Sequence, residues 1–383
     1  MQLSIIVIIA SLFSYHAKAQ SVFDVNTSVR ALGMGGAYAA VVDDADSLFY
    51  NPASLARVSG MIWTIVDPRI GLGNVDALAS LQSLQDPNGM TAALQGLYGE
   101  PIWIGGGAKT AMAFPYFGMS YYDRLNVNIN IKDPAFPTVE ANYLNDLGWN
   151  LGFAFPIVPT ILSAGIVIKR AARTGYAVSI PAGSLVTPDP AVFTGSETSG
   201  SGFGIDFGMN LTFPLPVVTP MFSLVWKDVG DTIYKADVAG TENPPGDLSD
   251  MIFAAALEVD VPLFTITPTI ELRKLNITGM QLGKKLHLGL ELSMPFIDVR
   301  GGFYQGYYTM GAGMSLGPLR IDVATYGAEL GEYPGQKEDR RYLLQITGEL
   351  EIGFGFLNSL SGEGSESGKG PGSGRRRRLK QRR

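Results

Sequence analysis

The chain has 383 residues, no cysteine, two histidines and a formal charge of −6 at pH 7. No disulfide framework, thiol chemistry or ordinary zinc site can be built from that inventory, and no cofactor or metal is expected. Hydrophobic residues reach 46% while charged residues are 17%, below the roughly one quarter typical of soluble domains, so an ordinary exported globular domain is disfavoured.

The N-terminus has an apolar stretch, Leu3–Phe13, followed by Ala17-Lys18-Ala19. That stretch is too short to span a bilayer, and the small residues stand in the spacing that signal peptidase accepts, so residues 1–19 read as an export leader and Gln20 as the mature N-terminus. His16 would leave with it, and His287 would remain. Next comes Arg30–Ala56, with the glycine cluster Gly33-Met34-Gly35-Gly36, a short apolar run, the acids Asp43, Asp44 and Asp46, and the stop Asn51-Pro52-Ala53. A nucleotide-binding glycine loop would need a preceding strand and a following Gly-Lys-Ser/Thr, and both are missing. Glycine here serves close backbone passage or a positive φ, while Pro52 forces Asn51 out of a helix.

Met61–Val66 reads as a first strand. Asn74–Leu97 reads as a helical insertion, since Val75, Leu78, Leu81 and Leu84 recur at helical spacing until Asp86-Pro87-Asn88-Gly89. Later stretches contain no apolar run of about 18 residues; they are strands and turns. Candidate strands are Gly107–Phe117, Leu125–Ile131, Gly148–Phe155, Leu162–Arg170, Gly202–Phe213, Pro220–Lys227, Met251–Val261, Phe264–Arg273 and Tyr307–Leu316. Period 2 is clearest towards the end of the chain. Leu286, Leu288, Leu290 and Leu292 oppose Lys285, His287, Gly289 and Glu291; Ile297, Val299 and Phe303 oppose Asp298, Arg300 and Tyr304. Leu319, Ile321 and Val323 oppose Arg320, Asp322 and Ala324. The last strand sets Tyr342, Leu344, Ile346, Leu350, Ile352, Phe354 and Phe356 against Arg341, Gln345, Thr347, Glu349 and Glu351.

A β-sandwich alternates in the same way. Two features favour a membrane barrel: apolar faces about the 9–11 residues long that a tilted spanning strand needs, and oppositely charged pairs in mid-strand on the other face. Pro-rich joints such as Phe155–Pro159 and Phe213–Pro216 fit short periplasmic turns, and Val186–Gly200 and Asp237–Asp250 fit external loops. From Ser361 the chain has Gly/Ser linker composition, then a basic cluster with Arg375–Arg378, Lys380, Arg382 and Arg383. Two readings of this tail stand: a solvated extension, or electrostatic contact with an anionic envelope lipid or polymer. Nucleic acid is not expected.

The Arg30–Ala56 segment, with Trp226-Lys227-Asp228-Val229-Gly230-Asp231-Thr232 and Tyr326-Gly327-Ala328-Glu329-Leu330-Gly331 followed by Asp339-Arg340-Arg341-Tyr342, resembles the FadL-type outer-membrane transporter superfamily. That superfamily has a branch of barrels serving the type IX secretion machinery. The resemblance implies an all-β fold: a transmembrane antiparallel barrel of about 14 strands with an N-terminal hatch and a helical insertion after the first strand. The expected layout is a leader at 1–19, hatch at 20–57, barrel at 58–360, and linker with basic tail at 361–383. In function it implies an outer-membrane protein with a periplasmic C-terminus, inserted by the barrel-assembly machinery among outer-membrane lipid and passing hydrophobic, fatty-acid-like molecules passively. The alternative is a non-transporting barrel that docks secreted proteins.

No catalytic role is implied, since His287 has no Ser or Asp in its own strand. Gly33, Gly35, Gly36, Asp43, Asp44, Asn51 and Pro52 are the hatch and gating candidates. Glu291, Asp298, Arg300, Arg320, Asp322, Glu349 and Glu351 are the lumen-lining candidates, with Glu258, Asp260, Glu271, Arg273 and Lys285 as further lumen charges. Such groups either pair with one another or meet substrate. Glu329 with Arg340 or Arg341 is expected to form a salt bridge closing the final hairpin.

Overall fold

The computed structural model describes residues 28–75, 77, 96–132, 138–181 and 197–353. The leader, most of the helical insertion, the Val186–Gly200 loop up to residue 196, Phe354, Phe356 and the basic tail lie outside the described residues. The strands are β1 (Gly60–Val66), β2 (Arg69–Gly73), β3 (Ile102–Phe114), β4 (Phe117–Lys132), β5 (Thr138–Val158), β6 (Leu162–Pro181), β7 (Thr198–Thr212), β8 (Val218–Lys227) and β9 (Lys235–Ala236). They continue with β10 (Asp250–Asp260), β11 (Thr265–Leu272), β12 (Leu286–Ser293), β13 (Ile297–Tyr304), β14 (Tyr307–Leu316), β15 (Leu319–Glu329) and β16 (Glu338–Gly353).

From β3 to β16 the wall strands pair antiparallel in chain order, β8 directly with β10, and the sheet closes where β1 and β2 pair with both β16 and β3. β1 and β2 form one wall strand interrupted at Asp67-Pro68. Pro68 cannot donate to the ladder, yet its carbonyl still accepts from Ile346 N at 3.1 Å. With β9 as a side pairing to β7, the result is a closed 14-strand antiparallel barrel. Closure leaves no unpaired edge, which is the condition for a sheet to sit in hydrocarbon.

The wall is inside-out relative to a soluble protein. On β7, Phe203, Ile205, Phe207 and Met209 face outward with relative exposures of 40–64%, while Asp206 and Asn210 between them are at most 4% exposed. On β13, Ile297, Val299 and Phe303 are outward, and Asp298 and Arg300 are buried. An apolar face recurring on strand after strand far exceeds the few hundred Å² that a soluble monomer tolerates. No helix among the described residues is long and apolar enough to cross a membrane. The strands are the elements suited to crossing.

The two rims differ. One carries short connections such as 115–116, 294–296 and 317–318; the other carries long ones such as 74–101, 228–249 and 273–285. β5 and β6 run 21 and 20 residues, about twice a spanning length, and their excess projects on the long-loop side. The lumen holds residues 28–58. Their buried side chains pack on opposite walls: Met34, Tyr38 and Val42 against Met221, Val225 and Ile252; Leu48 and Leu55 against Ala111, Ala113 and Val167; Val29 and Leu32 against Trp103, Tyr304 and Leu343.

Candidate functional site

The inner segment begins with α1 (Val29–Gly33). Five residues are too few to hold a helix alone, so the wall holds it. Val29 N donates to Gln345 Oε1 at 2.7 Å, and Thr309 Oγ1 donates to the Gly33 carbonyl at 3.0 Å. The chain then reverses through Gly35 and Gly36, both at positive φ, with Gly36 N donating to the Ala31 carbonyl at 2.8 Å. This is the glycine-terminated helix end that satisfies orphan carbonyls. At Gly35 a Cβ would overlap the Leu288 and Phe303 carbonyl oxygens, so both φ and space require glycine. His287 sets its Nδ1 2.9 Å from the Gly35 carbonyl and its ring edge-on to Tyr304.

Next, one wall carboxylate grips the segment. Glu271, on β11 and 1% exposed, accepts from the consecutive backbone N–H groups of Tyr38 and Ala39, each at 2.9 Å. Its other oxygen accepts from Arg273 Nε at 2.6 Å, and Arg273 Nη2 donates to the Gly36 carbonyl at 2.6 Å. Glu271 and Arg273 together therefore clasp the backbone from residue 36 to 39 through charge-assisted hydrogen bonds.

Asp43, Asp44 and Asp46 form the acidic turn. Arg30 pairs bidentately with Glu291 of β12 at 2.8 and 2.9 Å, and also reaches Asp43 at 3.2 Å and the Tyr38 hydroxyl at 2.9 Å. Lys109 of β3 pairs with Asp46 and, at 3.0 Å, with Asp67. Burial, reinforced by Asp46 and Asp43, pushes the Asp44 carboxyl up to about 7. After α2 (Ser47–Tyr50), Asn51 is extended at φ −158°, and its Oδ1 accepts from Ala53 N at 3.1 Å, capping the 3₁₀ turn Pro52–Arg57. The Asn51 amide also lies 2.6 Å from that of Asn210 on β7. Arg57 donates to the carbonyls of Ala40 (2.9 Å) and Val42 and to Ser54 Oγ (3.0 Å), folding the segment on itself.

The predicted lumen charges divide. Glu291, Asp298, Arg300 and Asp322 are buried and, with half-buried Arg320, form one ladder. Arg300 bonds Glu291 and Asp322 at 2.7 Å each, and Arg320 bonds Asp298 at 3.0 Å. These groups satisfy one another and, through Glu291, the inner segment. Glu349 and Glu351 stand apart at the short-turn mouth, where Glu349 accepts from Thr64 Oγ1 at 3.2 Å. Glu351 lines the same mouth and is exposed. The expected Glu329 salt bridge does not form. Glu329 accepts instead from the backbone N–H groups of Gly331 (2.6 Å), Gln336 (2.8 Å) and Lys337 (2.9 Å), while Arg340 pairs with Glu338 and Arg341 with Asp339. Lys109, Asn210 and Gln345 also hold the segment, and sequence reasoning gave none of them that role. The available signal was faint: single polar residues on inward phases of otherwise small or apolar strands.

The segment separates two cavities. The one on the long-loop side has a volume of 160 Å³. Leu48, Phe49, Tyr122 and Ile252 line it together with Lys169, Lys227, Arg273 and Lys274. Lys169 is shared by Asp206 (2.7 Å) and Asp228 (2.9 Å), whereas Lys227 has no ion-pair partner among the described residues. The cavity on the short-turn side has a volume of 410 Å³, and its charged lining is chiefly carboxylate. Among the described residues no group of His, Cys, Asp and Glu is arranged to hold a metal ion.

No family model and no curated protein matches this sequence. Solved structures share the fold. The Ralstonia pickettii toluene transporter TbuX is 10% identical with a TM-score of 0.50, over 86% of this chain and 100% of its own. A deltaS2S3 mutant of the TodX monoaromatic hydrocarbon channel is 11% identical, also at 0.50, over 87% and 100%. A Pseudomonas aeruginosa FadL homologue covers 85% and 98% at 11% identity, with a TM-score of 0.37. At such identities the likeness to TbuX and the TodX mutant establishes a common barrel architecture alone.

Proposed function

We propose that this protein is an outer-membrane barrel that passes hydrophobic small molecules passively, with residues 28–58 as its hatch. The observation carrying this reading is the inner segment itself, which stands between two cavities, contributes no strand to the wall, and is held to it by hydrogen bonds and ion pairs beside its apolar packing. Polar seats of this kind can be exchanged for water, so the segment can shift without breaking the barrel wall. The apolar outward face supports the membrane location. The structural neighbours named as toluene and monoaromatic hydrocarbon carriers support a transport role. The long-loop cavity offers a fatty-acid-like molecule apolar contacts at Leu48, Phe49 and Ile252 and cationic groups at Lys227, Arg273 and Lys274 for its anionic end. Glycines, Asp43, Asp44, Asn51 and Pro52 shape the hatch, while the Glu291–Arg300–Asp322 ladder supports it.

Deleting residues 28–57 should turn a closed barrel into an ion-conducting one in planar bilayers. A deletion protein that inserts and stays closed would sink the hatch assignment. Lauric acid binding to the intact barrel, weakened by Lys227→Gln, tests the ligand class. Cross-linking that recovers exported proteins, with no lauric acid binding, would point instead to a docking barrel.

A further inference from the structure

Among the described residues the short-turn cavity is a mouth of net negative charge. Eight carboxylates line it, among them Asp44, Asp298, Glu349 and Glu351, against three cations. Arg300 behind the lining adds a fourth positive charge through Asp298 and Asp322, and the excess stays negative. The crowding shows in Asp44, whose carboxyl its acidic neighbours help push up to about 7. An arriving cation would relieve that repulsion.

The same mouth is where the last strand leaves the barrel. Glu349, Leu350 and Glu351 of β16 are part of the cavity wall, two to four residues before the strand ends at Gly353. Beyond it the sequence runs through 354–374, rich in Gly and Ser, into 375–383, where seven of nine residues are Arg or Lys. A Gly/Ser-rich sequence of that length corresponds to a root-mean-square reach of about 25 Å, counted from the rim of the cavity it would enter. Tethering at such range gives an effective concentration on the order of millimolar. At 410 Å³ the cavity has the size of a small-ligand site and takes some of the basic side chains at a time.

We propose that the basic segment Arg375–Arg383 docks into this acidic mouth of its own barrel, below the inner segment. The two partners have opposite charge, are joined by a linker rooted at the site, and need no other molecule. Contacts of this kind are screened by salt, so the docking is reversible. The inference is independent of what the barrel carries.

The absence of cysteine makes the test direct. Spin labels on Met294→Cys, at the mouth, and Gln381→Cys, in the basic segment, report their separation in the full chain in non-ionic detergent. Docking predicts a short-distance population that disappears in about 1 M NaCl, where the Debye length falls to about 3 Å. It should also disappear when Arg375–Arg378 are all changed to Gln, a variant that leaves the barrel sequence intact. Glu349→Gln with Glu351→Gln, both at the lip and outside the buried ladder, should reduce it at least several-fold. The proposal is overturned by a distribution unchanged in the arginine variant, or by one that shortens only when anionic phosphatidylglycerol is added. The second result would assign the tail to envelope lipid.

Discussion

Glu271 offers the sharpest test of how the inner segment is held. Glu271→Gln keeps the shape of the side chain and removes its charge. The two N–H groups of Tyr38 and Ala39, each 2.9 Å from one carboxylate oxygen, lose a charged acceptor. Arg273, 2.6 Å from the other oxygen, then faces an amide and remains largely buried beside the Gly36 carbonyl. Hydrogen bonds to a charged group are worth about 1.5–3 kcal/mol against about 0.5–1.5 for neutral ones, so neutralising the acceptor of two costs docking roughly 2–3 kcal/mol. At about 1.4 kcal/mol per tenfold change, that raises the undocked fraction roughly thirtyfold to a hundredfold. Single-channel recording in planar bilayers should show openings more frequent by that order. A Glu271→Gln, Arg273→Gln double variant should open at least as often as the single one, because the Arg273 bond to the Gly36 carbonyl is lost as well. A single variant that migrates as a folded barrel on unheated gels, yet opens no more often than the parent, would refute the clasp.

Three further outcomes are expected. Gly35→Ala places a Cβ on the Leu288 and Phe303 carbonyls at φ +63°; it should speed amide exchange over residues 33–40 while leaving exchange in the wall strands unchanged. Leu290→Arg, at a position 48% exposed on the outward face of β12, should cost up to about 2–4 kcal/mol of barrel stability in lipid, read from denaturant titration in vesicles; no loss would argue against a lipid-facing wall. Asp44 is raised from 3.8 to about 7 in the folded protein, so the docked segment is favoured below 3.8 and loses that preference as pH rises through about 7. Protease cleavage within residues 28–58 should therefore increase between pH 5 and 8, and Asp44→Asn should flatten the profile.

Much of the barrel was legible because a wall facing lipid on one side and water or polar groups on the other writes itself as period 2. β13 and β14 follow the expected spans for that reason, and β12 is offset by one residue. The pattern fails where its cause fails. The upper parts of β4 and β5, with Asn126, Asn128 and Asn130 on one strand and Asn142 and Asn145 on the other, project past the spanning length, and polar residues there carry no alternation to read. β2 was missed because Asp67-Pro68 interrupts the run, although Asp67 is what Lys109 and Gln345 bind at that break. Charge order along a strand was visible and charge partners were not. Arg300 is 3.4 Å from Asp298, two residues away, but 2.7 Å from Glu291 on the neighbouring β12 and from Asp322 on β15, two strands over. Glu329 turned to the N–H groups of its own turn, where several short hydrogen bonds satisfy the carboxylate, while Arg340 and Arg341 are taken by Glu338 and Asp339. The grip of Glu271 on Tyr38 joins residues 233 positions apart, and no local pattern encodes it. The division is physical: the wall answers to hydrocarbon, a uniform solvent that leaves a periodic mark. The inner segment answers to individual charges on the facing strands, so its seating depends on salt and pH in a way that the wall's closure does not.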